Sequence, residues 1–278
     1  MIPYSTQSID KNDIKSVSKI LKSQFLTQGP INEKFEDKLS KKFKSKYCLT
    51  VNSGTSALHL ACLSIGLKKN DLVLTSPISF VATANAVKYT GAEVAFVDID
   101  KSFMINHNDL EKKIIFYKQK FNVLPKAVIL VHLAGSPYNL EKIWKLSKKY
   151  KFKIIEDASH AVGAKYKNSP IGSCKYSHIT TFSFHPVKII TTTEGGAVLT
   201  NNKKYYLNML HARSHGILRK KNQNKFWIYD QKTLGWNFRM NEIQAALGIS
   251  QLNRLEIFLK SRNKIAINYK KKLKDLPI

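Results

Sequence analysis

In the segment TTFSFHPVKIITTTEGGAVLT (Thr180 to Thr200), Lys188 stands just beyond an apolar, β-rich run that delivers Ser183 and His185 ahead of it. A lysine amine forms a Schiff base with an aldehyde when partial desolvation leaves some of it unprotonated. The plain alternative is a lysine snorkelling at a strand end. In IIEDASHAVG, Asp157 closes another apolar run, where an unpaired carboxylate is costly. A protonated ring nitrogen would justify it, and so would a helix cap or an internal salt bridge. His160, three residues on, falls within reach of the same ligand or serves as a satisfied structural histidine. In VNSGTSALHL, Gly54 permits a tight turn, and the amides of Gly54, Thr55 and Ser56 would point out of a helix N-terminus. That is a phosphate site with Ser53 and Thr55 hydroxyls at hand, or an ordinary serine cap. Asn237 and Arg239 in LGWNFRMNEIQAALG precede a further helix.

Taken in chain order, these segments supply a phosphate cradle, an acid for a pyridine nitrogen and an aldehyde-capturing lysine. Those are the parts needed to hold pyridoxal 5'-phosphate, whose ring serves as an electron sink. Phe80 in SPISFVATANAV offers a flat apolar surface for the ring, or packs in the core. The chain contains no GxxxxGK[ST] or GxGxxG motif, so neither a P-loop nor a dinucleotide fingerprint is supported.

The elements that must position these groups alternate between short β-rich runs and helical stretches, the pattern of an α/β layer fold. Candidate strands are DLVLTS, AEVAFVDI, KAVILVHL, FKIIEDA, HITTFSF and GGAVLT. Several are continuously apolar, as expected of parallel strands covered on both faces. Helices fit TSALHLACLSIGL, VATANAVKYT, NLEKIWKLSKKY and KYYLNMLHARS. In open sheets of this kind, ligands sit beyond the carboxyl ends of the strands. From Asn241 a helical apolar period continues for most of the remaining chain and predicts one long helix, straight or bent. We therefore expect a cofactor-binding large domain with an N-terminal arm over residues 1–240. Residues 241–278 would be a connecting helix leading to a C-terminal domain that is largely absent; the alternative is a helix that simply packs back and ends.

A length of 278 residues with 43% apolar content supports one large α/β domain, or one plus part of another. The formal charge of +27 invites nucleic acid or an anionic membrane as a partner. The charge is lysine spread over helix faces, with only five arginines among 46 basic residues. Nucleic-acid readers cluster charge and use arginine's planar fork, so no nucleic-acid function is expected. The three cysteines, Cys48, Cys62 and Cys174, lack CxxC spacing and histidine partners, so no metal site is expected. No signal-peptide pattern and no apolar run of membrane-spanning length occur, so the reading is a cytoplasmic protein without membrane contact.

SGTSAL, SPISFVATANAV, EDASHAVG, TFSFHPVKIITTTEGGAV and GWNFRMNEIQAALG together resemble the DegT/DnrJ/EryC1/StrS family of pyridoxal-phosphate sugar aminotransferases. The likeness runs from PYSTQSIDKNDI to the final helix. It implies an aspartate aminotransferase-like (type I) fold with a mostly parallel central sheet, acting as a homodimer with its site at the interface. By position, Lys188 is then the Schiff-base lysine, Asp157 the partner of the ring nitrogen and Phe80 the stacking residue, with His160 nearby. Gly54, Thr55 and Ser183 are phosphate ligands, and Asn237 reaches the other subunit's phosphate. Within the family, SQFLTQGP, VHLAGSPYNLEKI, FSFHPVK and ARSHGIL are nearest to the branch serving pseudaminic acid synthesis. That likeness implies a UDP-4-keto-6-deoxy-N-acetylhexosamine acceptor and an L-glutamate donor. Tyr4, Gln24, Phe25, Leu26, Thr27 and His185 would touch the sugar nucleotide. Other readings are an aminotransferase for a different keto sugar (3-keto or another 4-keto), a dehydratase, or a truncated non-catalytic protein binding sugar nucleotides. Dehydratase relatives carry histidine where this chain has Lys188, which counts against that branch.

Overall fold

The apolar runs find their cover on both sides of one sheet. The computed structural model describes residues 5–137, 139–218 and 227–276. In chain order the first half runs α1 (Lys11–Leu21), α2 (Pro30–Phe43), β1 (Tyr47–Val51), α3 (Gly54–Ser64), β2 (Leu72–Thr75), α4 (Ala82–Lys88), β3 (Glu93–Phe96) and α5 (His107–Phe121). There follow β4 (Ala127–Val131), α6 (Leu140–Tyr150), β5 (Lys153–Asp157), the short pair β6 (Lys165–Tyr166) and β7 (Ser169–Pro170), then β8 (Ile179–Ser183) and β9 (Gly196–Thr200). The chain continues with α7 (Lys203–Arg213), the ribbon β10 (Ile217–Leu218) and β11 (Asp230–Gln231), α8 (Glu242–Asn253) and α9 (Leu255–Lys272).

The central sheet has seven strands in the order β1-β9-β8-β5-β4-β2-β3. Pairings among β3, β2, β4, β5 and β8 are all parallel, while β9 runs antiparallel to both β8 and β1. The sheet is mostly parallel, as expected, with one reversed strand. All six predicted strands form, and β1 joins them as a seventh at the edge.

Two apolar layers flank the sheet. One includes Phe35 and Leu39 of α2, Leu110 and Ile114 of α5, Leu140 and Ile143 of α6, and Ala245 and Leu252 of α8. The other includes Leu58 and Leu60 of α3, Ala86 and Val87 of α4, and Met209 of α7. Fully burying one such leucine or phenylalanine contributes about 1.5–3 kcal/mol, so each helix is held chiefly by its sheet-facing stripe.

The stretch after Asn241 departs from the expected single helix. It forms α8 and α9, separated at Arg254, whose φ of −99° and ψ of 2° leave the helical region. Arg254 is drawn to Asp10 and Asp13 of the first helical segment, and Gln251 donates to Asp13 Oδ2 at 2.7 Å.

Candidate active site

A cavity of about 720 Å³ opens beyond the carboxyl ends of β4, β5 and β8, against the N-terminus of α3. Both Lys188 and Asp157 line it. The parallel register Val131↔Asp157 and Asp157↔Thr181 brings these strand ends to one level, which is why side chains distant in sequence meet there.

Asp157 is 5% exposed. Thr83 of α4 donates to its Oδ2 at 2.7 Å, and the Ser159 hydroxyl donates to its Oδ1 at 2.7 Å. Among the described residues it forms no ion pair, so the salt-bridge alternative for this carboxylate does not hold. The Ser159 amide adds a bond to Oδ1 at 3.3 Å, but neutral donors leave a buried anion undercompensated, and a cationic ring nitrogen would supply what is missing.

Lys188 is partly buried in the turn after β8, where its amide donates to the His185 carbonyl at 2.9 Å. Burial pulls its amine below the ordinary lysine value of 10.5, while the Asp157 charge opposes that shift. His160 also lines the cavity, and its Nδ1 accepts from the Ala134 amide at 3.3 Å. Burial lowers its pKa, the Lys188 cation lowers it further, and Asp157 works the other way.

The turn into α3 forms the far end. Ser53 caps the helix, its Oγ accepting from the Ser56 amide at 3.0 Å, and the Ser56 hydroxyl donates to Asn52 Oδ1 at 2.7 Å. The Ser56 amide is thereby taken up by the cap, which corrects the expectation that it faces a ligand. The Gly54 and Thr55 amides stand in the first turn, with no preceding turn to bond. A Cβ on Gly54 would sit 2.8 Å from Ser183 Cβ and 3.0 Å from its Oγ. Glycine therefore lets the α3 N-terminus close on the Ser183 hydroxyl and form a cradle for an oxyanion.

Phe80 lines the cavity with 74% of its surface exposed, so it is not core packing. His185 lines the mouth, with Nε2 3.8 Å from Glu194 Oε1. Ser79, Thr83, Ser159, His132 and Glu194 belong to or support the cavity and were not singled out from sequence. The register of β4 with β5 is the signal that would have found His132, whose amide donates to the Asp157 carbonyl at 3.0 Å.

The remaining candidates are not brought to this cavity within the chain. Asn237 is exposed, and its carbonyl accepts from Asn52 Nδ2 at 3.2 Å. Gln24, Phe25, Leu26 and Thr27 form an exposed loop beside the start of α8, where the Leu26 carbonyl accepts from the Glu242 amide at 3.0 Å. Tyr4 lies outside the described residues. No cluster able to hold a metal ion occurs among the described residues.

A profile of the DegT/DnrJ/EryC1/StrS aminotransferase family matches residues 7–278. The chain belongs to the DegT/DnrJ/EryC1/StrS family. This DegT-family aminotransferase is 41% identical over 271 residues to the UDP-4-amino-4,6-dideoxy-N-acetyl-beta-L-altrosamine transaminase of Campylobacter jejuni subsp. jejuni serotype O:23/36 (strain 81-176), covering 98% of this chain and 69% of that protein. Among solved structures it superposes with a TM-score of 0.90, at 38% identity, on Helicobacter pylori PseC, an aminotransferase involved in the biosynthesis of pseudoaminic acid. That match covers 99% of this chain and 71% of PseC. The PLP-form of the sugar aminotransferase Spr1654 from Streptococcus pneumoniae matches with a TM-score of 0.88 at 28% identity, covering 99% and 72% of the two chains. The DegT-family chain is thus an aminotransferase of the α/β class with a mostly parallel sheet. No helix among the described residues is long and apolar enough to cross a membrane.

Proposed function

We propose that this protein moves an amino group from L-glutamate to C4 of a UDP-4-keto-6-deoxy-N-acetylhexosamine, using pyridoxal phosphate held in the Lys188 cavity. The observation that carries this reading is the convergence of Lys188, Asp157 and the Gly54–Ser183 cradle on one space. The likeness to the Campylobacter transaminase supports the choice of sugar.

The residues fit the cofactor. The Gly54 and Thr55 amides with the Ser183 hydroxyl hold the phosphate, Phe80 covers a ring face, and Asp157 keeps a proton on the ring nitrogen. When bound, the cofactor's ring draws off the electron pair left at the donor's α carbon as its proton departs. Lys188 Nζ, more readily left unprotonated because burial lowers its pKa, takes that proton and carries it within the site. Thr83 and Ser159 fix the Asp157 carboxylate so that it meets the ring nitrogen without reorganising. His185 and Glu194 stand at the mouth where the sugar would enter.

Two copies complete each site. Exposed Asn237 and the exposed Gln24–Thr27 loop act in the partner's cavity in this reading, with Tyr4 joining the sugar contacts. The three free, buried cysteines suit a reducing cytoplasm.

The test is incubation of the purified protein with pyridoxal phosphate, L-glutamate and the UDP-4-keto sugar, followed by mass analysis. The expected result is an amino sugar formed in step with 2-oxoglutarate. A keto sugar recovered unchanged, under conditions where the protein is folded and binds the cofactor, would remove this reading.

A further inference from the structure

Beside Lys188 lies a second cavity of about 260 Å³ that the proposed reaction leaves unassigned. Its walls include Thr6 and Ser8 of the N-terminal arm, Lys188 itself, and Phe258, Ser261 and Arg262 of α9. Lys188 lines both cavities, so the second adjoins the site of the proposed reaction.

Among the described residues the arginines of this lysine-dominated chain sort clearly, Arg219 lying outside them. Arg213 pairs with Glu36, and Arg254 pairs with Asp10 and Asp13. Arg239 is engaged as well. Arg262 forms no hydrogen bond or ion pair among the described residues, yet it lines this cavity. No acidic side chain shares the lining, and Glu256, on the same helix, is held by Lys42 at 2.6 Å. The exposed Arg262 guanidinium, unpaired beside hydroxyls at a space lined by no carboxylate, has the chemistry to receive a planar oxyanion.

We propose that this cavity binds a carboxylate of the amino-acid donor, with Arg262 as its fork. Phe258 and Ile265 flank the donor's methylene groups, and Thr6, Ser8 and Ser261 supply hydroxyls at the rim. The inference rests on the aminotransferase reading of Lys188 and adds to it the group that recognises the donor. A nucleotide diphosphate is the other anion of that reaction. The cavity lies below the roughly 300–1,000 Å³ typical of sites for larger ligands, so it suits a small dicarboxylate instead.

The test separates the donor from the sugar. Protein reconstituted with pyridoxal phosphate is titrated with L-glutamate alone, and the change in cofactor absorbance is followed. Arg262→Ala should raise the half-saturating glutamate concentration roughly ten- to a hundredfold, the usual effect of losing a hydrogen-bonded charge partner. Arg262→Lys should recover part of that loss, and L-alanine should be affected far less. Half-saturation by the amino sugar nucleotide in the reverse half-reaction should not move. Calorimetric titration with 2-oxoglutarate needs no turnover and should show the same loss of affinity in Arg262→Ala. Unchanged glutamate and 2-oxoglutarate binding in Arg262→Ala would overturn the proposal, as would a loss confined to the sugar nucleotide. If wild-type protein fails to react with glutamate, the aminotransferase reading falls, while the calorimetric comparison still decides the anion site.

Discussion

Thr83, carried by α4, donates its hydroxyl to Asp157 Oδ2 at 2.7 Å across 74 positions of sequence. The bond ties a helix on one side of the sheet to the end of a central strand and turns one carboxylate oxygen to a set direction. Ser159 holds the other.

Removing the first of these bonds should loosen the cofactor without unfolding the chain. Thr83→Val keeps the shape and discards the donor, and a hydrogen bond to a charged group is worth about 1.5–3 kcal/mol. We expect the pyridoxal phosphate dissociation constant to rise about tenfold or more in an absorbance titration, with Thr83→Ser restoring most of the affinity. Equal affinity in Thr83→Val would show that the bond does not orient Asp157 for the cofactor.

Lys188 should react with aldehydes ahead of the chain's many other lysines. Its amine sits below the ordinary value because burial penalises the charged form. Imine trapping with borohydride, mapped by peptide mass spectrometry, should therefore modify residue 188 first, with a rate that rises with pH and levels off before that of free lysine. In that same window the unfolded chain binds more protons than the folded one, so this group's contribution to stability rises with pH. Lys188→Ala should leave the fold intact and abolish the absorbance band that appears on mixing with cofactor.

Gly54→Ala probes the cradle. The added Cβ would press on Ser183 at 2.8 Å, and overpacking of this kind costs about 1–3 kcal/mol. Part of that cost should appear as weaker phosphate binding. Affinity for pyridoxal phosphate should fall about tenfold, since each 1.4 kcal/mol is a factor of ten, while affinity for pyridoxal without its phosphate should hardly change.

Beneath the sheet, His132 Nε2 and Glu156 Oε2 meet at 2.7 Å with both side chains buried. Burial pushes the Glu156 carboxyl up, but His132, Ser177 and Thr180 outweigh it and hold the group below its ordinary value. A carboxyl lowered in the folded state adds stability above its unfolded pKa, and that stability is lost as pH falls through the folded value. Glu156→Gln should flatten the acid limb of a pH–stability curve. His132→Phe should destabilise the fold by about 3–5 kcal/mol, because it strands a buried charge. Denaturant titrations at pH 7 and pH 4 measure both effects.

The central strands were legible in the sequence because burial on both faces makes each a continuous apolar run. β1 escaped notice because its Thr50 is spent on a polar network, bonded to Asn32 and Glu36 and, through its carbonyl, to Arg213. The reversal of β9 is invisible in GGAVLT, since an apolar strand reads alike in either direction. Lysine density hid α1, α2 and α5; α2 shows its core only through Phe35, Leu39 and Phe43, spaced four apart. The helical period ran through Arg254 because Leu252 and Leu255 are buried on either side of the break. Lys188 and Asp157 stood out by their positions at strand ends. Thr83, Ser159 and Glu194 are ordinary polar residues in sequence, and only the packing of α4, the turn after β5 and the β8–β9 connection bring them to the cavity.

The bond between Gln251 and Asp13 joins positions 238 residues apart. During synthesis, the Asp10 and Asp13 carboxylates can cap α1 at once, but they meet Gln251 and Arg254 only when the end of α8 emerges. Edge strand β1 must likewise wait for β9. These two elements therefore gain their final contacts late, and chaperones have their longest window of access there.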